Sequence, residues 1–130
     1  MSELTCLELS VALWLVHVLL QATVGNVELP SGYLFTSRDK PLAARGLLYG
    51  RATRALANYS ENLTPFVAVA LALMVIHRTG GAGSLGATIW IAARIVYIPI
   101  YLFDVIYART AIWALSIVGL VMMLSRLIGW

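Results

Sequence analysis

Long apolar runs alternate with polar breaks along this chain, and each run has the roughly 20-residue length of a helix that crosses a bilayer. The pattern predicts helices over about 4–24, 51–77, 84–103 and 109–127, with one long loop over about 25–50. In the first run, SVALWLVHVLLQATV, the only breaks are His17 and Gln21. They are four apart, share a face, and read as a hydrogen-bonded pair inside a bundle. The loop mixes Pro30, Gly32, Pro41, Gly46 and Gly50 with Arg38, Asp39, Lys40 and Arg45. Leu42 to Tyr49 has the pattern of a short interfacial turn ahead of the second helix.

The second and third runs each carry a polar stripe. Arg54, Asn58 and Glu61 recur at i, i+4 and i+7, with Arg51 one turn earlier. Arg94, Tyr97, Tyr101 and Asp104 recur at i, i+3, i+7 and i+10 on the third. Ionisable side chains at membrane depth are costly unless they face a bundle interior or a wet cavity, so both stripes are candidate sites. Pro65 and Pro99 are expected to kink their helices. Gly80, Gly81 and Gly83 form a short reversal, and without a preceding strand they make no phosphate loop. The fourth run opens on Arg109 and Thr110 and is otherwise nearly apolar, with Trp113 and Trp130 as candidate interface markers.

Composition strengthens the membrane reading: 61% of residues are hydrophobic and 12% charged, against about 45–50% apolar in soluble domains. The chain is expected to form one bundle over residues 1–130. The net charge of +3 comes from cations gathered at helix ends, a topology signal and no sign of a nucleic-acid partner. Arg38, Lys40, Arg45, Arg51, Arg54 and Arg109 fall at one set of ends, Arg78 and Arg126 at the other. The long loop is therefore expected in the cytoplasm and both termini outside. The start, MSELTCLEL, lacks a basic segment and a cleavage site, so the first helix is expected to be retained. A lone Cys6, lipid-facing or packed, excludes an intrachain disulfide and makes no metal site; no metal is expected. The sequons at Asn58 and Asn62 lie in a helix on the cytoplasmic side and are not glycosylation sites.

Antiparallel packing of the second and third helices would set Arg94, Tyr97 and Tyr101 beside Glu61, Asn58 and Arg54. Arg94 lies roughly 15 Å along its helix from Ser84, with Glu61 as its natural partner. Such a network equally locks two helices together or binds a ligand, whereas packing is the commoner role for such tyrosines and snorkelling to headgroups for an arginine placed like Arg109. As a site, it leaves Arg51, Arg54 and Arg109 to attract an anion beside apolar helices. An arginine near a thiol favours the reactive thiolate, which points to thiol conjugation.

The stretch RALANYSEN ahead of Pro65, with Arg54-Ala55, Asn58 and Glu61 in register, resembles helix two of the membrane-associated proteins in eicosanoid and glutathione metabolism. Arg94, Tyr97, Tyr101 and Arg109 match the same family, which includes microsomal glutathione transferases and prostaglandin E synthase. The likeness covers nearly the whole chain. It implies an all-α integral membrane protein, a four-transmembrane-helix bundle assembled as a homotrimer, with glutathione bound between subunits as co-substrate. Arg54, Asn58 and Glu61 would hold glutathione, Arg94, Tyr97 and Tyr101 would complete the site, and Arg51 would line its mouth. Arg109 would be catalytic, activating the thiol, with Thr110 where some members have serine. The other substrate would be a hydrophobic small molecule or a lipid hydroperoxide drawn from the bilayer. The compact length suggests a bacterial inner membrane. Two departures are visible: Glu28 stands where a basic residue would clamp a carboxylate, and Asp104 has no assigned role. A non-catalytic lipid-binding member and a small four-helix exporter are the competing classes, and Glu8 lies too near the end for the exporter's glutamate.

Overall fold

Ser2 starts the first helix by accepting the Thr5 N–H on its hydroxyl at 3.1 Å, with Glu3 favourably placed in the first turn. Helix α1 then runs Glu3–Glu28. It ends where Leu29 turns extended ahead of Pro30, since a residue before proline is pushed out of the helical region. The helix thus passes through Gly25, where the sequence pattern ended it. The computed structural model describes residues 1–37 and 44–129. Arg38, Asp39, Lys40, Pro41 and Leu42 of the expected loop, and Trp130, lie outside the described residues. A single 3₁₀ turn, Tyr33–Phe35, follows Gly32, whose φ of 78° suits glycine.

Helix α2 spans Leu48–Val75, so Leu48 and Tyr49 belong to the helix and not to a separate interfacial turn. No flanking side chain caps it. The cap comes from the end of α1: the Glu28 carboxylate accepts the N–H groups of Tyr49 (2.9 Å) and Leu48 (3.3 Å). A Cβ on Gly46 would overlap the same carboxylate, so a larger residue there would displace the Glu28 side chain from its position. Glu28 therefore serves the fold. α2 continues through Pro65, whose missing N–H leaves one helical bond unmade.

The reversal after α2 uses positive φ at His77, Gly80 and Gly81. It is tied to the start of α1 by the Gly80 N–H, which donates to the buried Glu3 carboxylate at 2.8 Å. Helix α3 covers Ala82–Leu102, again running through its proline, Pro99. A tight turn at Asp104 (φ 60°) leads into α4, Ile106–Ile128. That start, earlier than the expected 109, places Arg109 at the end of the first turn of α4 and not at its first residue.

α3 and α4 make the most extensive contact, and its closest point is Gly86 against Gly119. A Cβ on Gly86 would lie 2.5 Å from the Gly119 carbonyl oxygen, and one on Gly119 would lie 2.6 Å from that of Gly86. Only glycine lets these backbones meet. Around them the core gathers Cys6, Leu13, Tyr59, Phe66, Leu73, Trp90 and Met123, with the Phe66 and Trp90 rings stacked at 3.9 Å. Cys6 is thus the packed thiol of the two readings.

His17 and Gln21 do not bond to each other. His17 Nδ1 donates to the Leu13 carbonyl of its own helix (2.9 Å) and the ring stacks on Tyr59, while Gln21 donates across to Thr53 Oγ1 at 3.0 Å. Of the two, Gln21 is the one that makes an interhelical hydrogen bond.

Leu15, Val16 and Leu19 on α1, Ile95 and Val96 on α3, and Leu115, Val118 and Val121 on α4 point outward. α1, α3 and α4 are long and apolar enough to cross a membrane. α2 has the length, at 28 residues, but the polar turns from Arg51 to Asn62 dilute its apolar run.

Candidate functional site

Three helices converge at the end of the bundle where α2 begins and α3 hands over to α4. Between them lies a cleft of about 150 Å³ lined by Asn58 of α2, Tyr97 of α3, and Arg109, Thr110 and Trp113 of α4. Arg109 and Trp113 are four apart and so share a helical face. Trp113, read from sequence as an interface marker, is a wall of this cleft, and its spacing from Arg109 was the available signal.

Behind the cleft stands Arg94, 1% exposed. Its Nη1 donates to Asn58 Oδ1 at 2.9 Å, and the guanidinium lies 5.6 Å from the Trp90 ring centre and 5.5 Å from that of Tyr97. Nε and Nη2 have no hydrogen-bond partner among the described residues. Burial of a cation is tolerated only with such hydrogen-bond and ring partners. The expected Arg94–Glu61 ion pair is not formed. Helical geometry explains it: the buried positions of α2, Ala52, Ala55, Tyr59 and Phe66, define one face, and Glu61 lies roughly 150° round the helix from its centre. Glu61 and Arg54 are accordingly exposed, whereas Asn58 sits at the edge of that face and reaches α3. The stripe is divided between an inward half and an outward half.

Arg109 connects the cleft to Asp104, in the turn between α3 and α4. Asp104 Oδ2 accepts from Arg51 Nη2 at 3.0 Å, its Oδ1 lies 3.8 Å from Arg109 Nη1, and Arg51 Nη1 donates to the Leu102 carbonyl at 2.8 Å. The other flank of Arg109 is the Tyr101 ring, 5.1 Å away, and Tyr101 in turn lies 5.3 Å from Tyr97. Asp104, which the sequence left without a role, pairs the arginine that opens α2 with the one that opens α4. Thr110 donates to the Ile106 carbonyl at 3.3 Å within its own helix. Among the described residues no three His, Cys, Asp or Glu side chains group to hold a metal ion.

Chemically, the arrangement presents a guanidinium, a tyrosine, an amide and a hydroxyl around one small opening, at the edge of helices whose outer faces are apolar. That defines a helical membrane protein with a cationic cleft suited to an anion. The family model for the MAPEG family matches residues 7–129, and the chain belongs to that family. With its apolar helices, this makes it an integral membrane protein. No curated protein and no solved structure matches the chain.

Proposed function

We propose that this protein is a membrane-embedded glutathione transferase that attacks hydrophobic electrophiles, or lipid hydroperoxides, drawn from the bilayer. The observation that carries the reading is the cleft itself, which gathers Asn58, Tyr97, Arg109 and Thr110 from three helices. These are positions that the family resemblance assigns to the thiol site, and the MAPEG family includes glutathione transferases.

Arg109 faces the cleft as a fixed positive charge and stabilises the thiolate over the thiol. The thiolate sulfur then forms a bond to an electrophilic carbon and the leaving group departs with the bonding pair. Arg94 holds Asn58 in place, and Tyr97 and Tyr101 support the cationic wall. Trp113 and the lipid-exposed flank of α4 admit the apolar substrate. A cleft of about 150 Å³ is smaller than the roughly 300–1,000 Å³ of ordinary ligand sites. Arg54 and Glu61 moreover face away from the bundle. Both features support a site completed by a second copy of the chain, in a homotrimer whose four helices all cross the membrane. There the co-substrate's carboxylates would meet Arg54 and its ammonium Glu61. The balance of Lys and Arg supports a cytoplasmic loop and outer termini in a bacterial inner membrane.

The test is ultraviolet difference absorbance of the detergent-purified protein mixed with glutathione. A thiolate band near neutral pH is expected, lost in Arg109→Leu, with conjugation of an aryl halide falling by about 100-fold or more. Unchanged turnover in that variant would sink the role of Arg109. Absence of both the band and calorimetric binding in the parent protein would overturn the transferase reading.

A further inference from the structure

We infer that Asp104 is a positioning residue, fixing the Arg109 guanidinium at the mouth of the cleft, and that Arg51 serves this anchor instead of touching co-substrate. The inference rests on the transferase reading for its consequence, but its geometry stands apart from it.

Asp104 sits at φ 60°, in the left-handed region that glycine occupies freely and that aspartate and asparagine tolerate better than other residues with a Cβ. Glycine would close the same turn without strain, so the turn alone does not call for aspartate. What the side chain adds is a two-sided contact, one carboxylate oxygen on Arg51 (3.0 Å) and the other towards Arg109 (3.8 Å). Arg51 is itself immobilised, because its second nitrogen donates to the Leu102 carbonyl at the end of α3. Two of its five N–H donors go to the turn, and Arg51 is not among the residues that line the cleft. It is a good post for Asp104.

Arg109 is held differently. The Tyr101 ring centre lies 5.1 Å from its guanidinium carbon and Asp104 Oδ1 lies 3.8 Å from Nη1, while Arg109 itself lines the cleft with Asn58, Tyr97 and Thr110. A long side chain in the headgroup region would otherwise sample many rotamers and snorkel outward. Held between a ring and a carboxylate, its charge stays where the thiolate must form. The charged and titratable groups facing Asp104 are thus Arg51 from α2 and Arg109 from α4, with Tyr101 of α3 across Arg109.

The decisive variant is Asp104→Gly, which removes the carboxylate while suiting the backbone, so that loss of folding does not obscure the result. Two readouts are taken on the trimer-competent full chain in detergent. The first is the pH midpoint of the thiolate band with bound glutathione. It is expected to rise by about one unit, which is about a tenfold loss of thiolate at pH values below both midpoints, with kcat falling and KM little changed. In an Arg109→Leu background the same change should have no further effect. The second is phenylglyoxal modification followed by mass spectrometry. Arg109 and Arg51 should react several-fold faster in Asp104→Gly, while Arg78, at the opposite end of the bundle, keeps its rate.

A midpoint that is unchanged or lower would mean that Asp104 merely offsets the charge of Arg109, and would overturn the inference. So would an unchanged labelling rate. If the parent forms no thiolate with glutathione, the transferase reading fails, and the labelling rates alone decide whether Asp104 positions Arg109.

Discussion

Asn58→Ala isolates the interaction on which the interior of the site depends. Arg94 is 1% exposed, and the Asn58 amide oxygen at 2.9 Å is its hydrogen-bonding partner among the described residues. Removing it leaves the guanidinium with the Trp90 and Tyr97 rings at 5.6 and 5.5 Å, while among the described residues Nε and Nη2 already lack partners. A hydrogen bond to a charged group contributes about 1.5–3 kcal/mol, and orphaning a buried ion costs about 3–5 kcal/mol. Asn58 also lines the cleft, so water can enter behind the substitution and recover part of the loss. The expected cost is therefore about 2–3 kcal/mol, roughly 30- to 150-fold in the unfolding equilibrium. The helix itself is not the cause, because alanine is the better helix former and the Asn58 carbonyl still accepts from Asn62 Nδ2 at 2.8 Å. The assay is reversible unfolding in mixed detergent and SDS micelles. In an Arg94→Met background, where no charge remains to be orphaned, the same substitution should change stability by less than about 0.5 kcal/mol. An equal cost in both backgrounds would refute the reasoning, since the penalty would then lie elsewhere than in the buried cation.

Gly119→Ala should destabilise by about 1–3 kcal/mol, because its Cβ would meet the Gly86 carbonyl and the Trp90 backbone N at 2.6 and 2.9 Å. Gly50→Ala should do the opposite and stabilise by up to about 1 kcal/mol, since the nearest atom is the movable tip of Arg54 at 3.2 Å; the same sign for both would contradict the close-approach argument. Glu28→Ala should lower stability by about 0.5–2 kcal/mol and speed amide exchange at Leu48 and Tyr49, whose N–H groups it caps. Exchange that stays as slow as in the parent would remove Glu28 from that role.

Much of the fold was legible because membrane helices advertise themselves: long apolar runs, punctuated by Pro and Gly, have few other solutions in lipid. The ends were less legible. Gly25 reads as a stop, yet α1 continues to Glu28, because tertiary contact outweighs the helix propensity of one glycine. The polar stripe of α2 was visible as a period of residues, and the family resemblance named Asn58, Tyr97, Arg109 and Thr110, which line the cleft, together with Arg54 and Glu61, which face outward. Periodicity alone could not say which of them Arg94 would meet. A charge argument favours Glu61, but the rotation of α2 about its axis, set by Tyr59 and Phe66 packing on Trp90, presents Asn58 instead. Asp104 and Trp113 escaped for a related reason: their importance lies in what stands across from them on other helices.

By itself, then, the sequence determined that this chain is helical, belongs in a membrane and carries arginine-rich polar stripes that lipid would not tolerate without purpose. Hydropathy and period are local properties, written along the chain and readable from it. The tertiary structure alone decided which half of each stripe turns inward, that Glu28 caps α2, and that Asp104 stands between Arg51 and Arg109. These outcomes depend on helix rotation and on a glycine contact between α3 and α4, and a rotation of one helical position, about 100°, would exchange one set of partners for another.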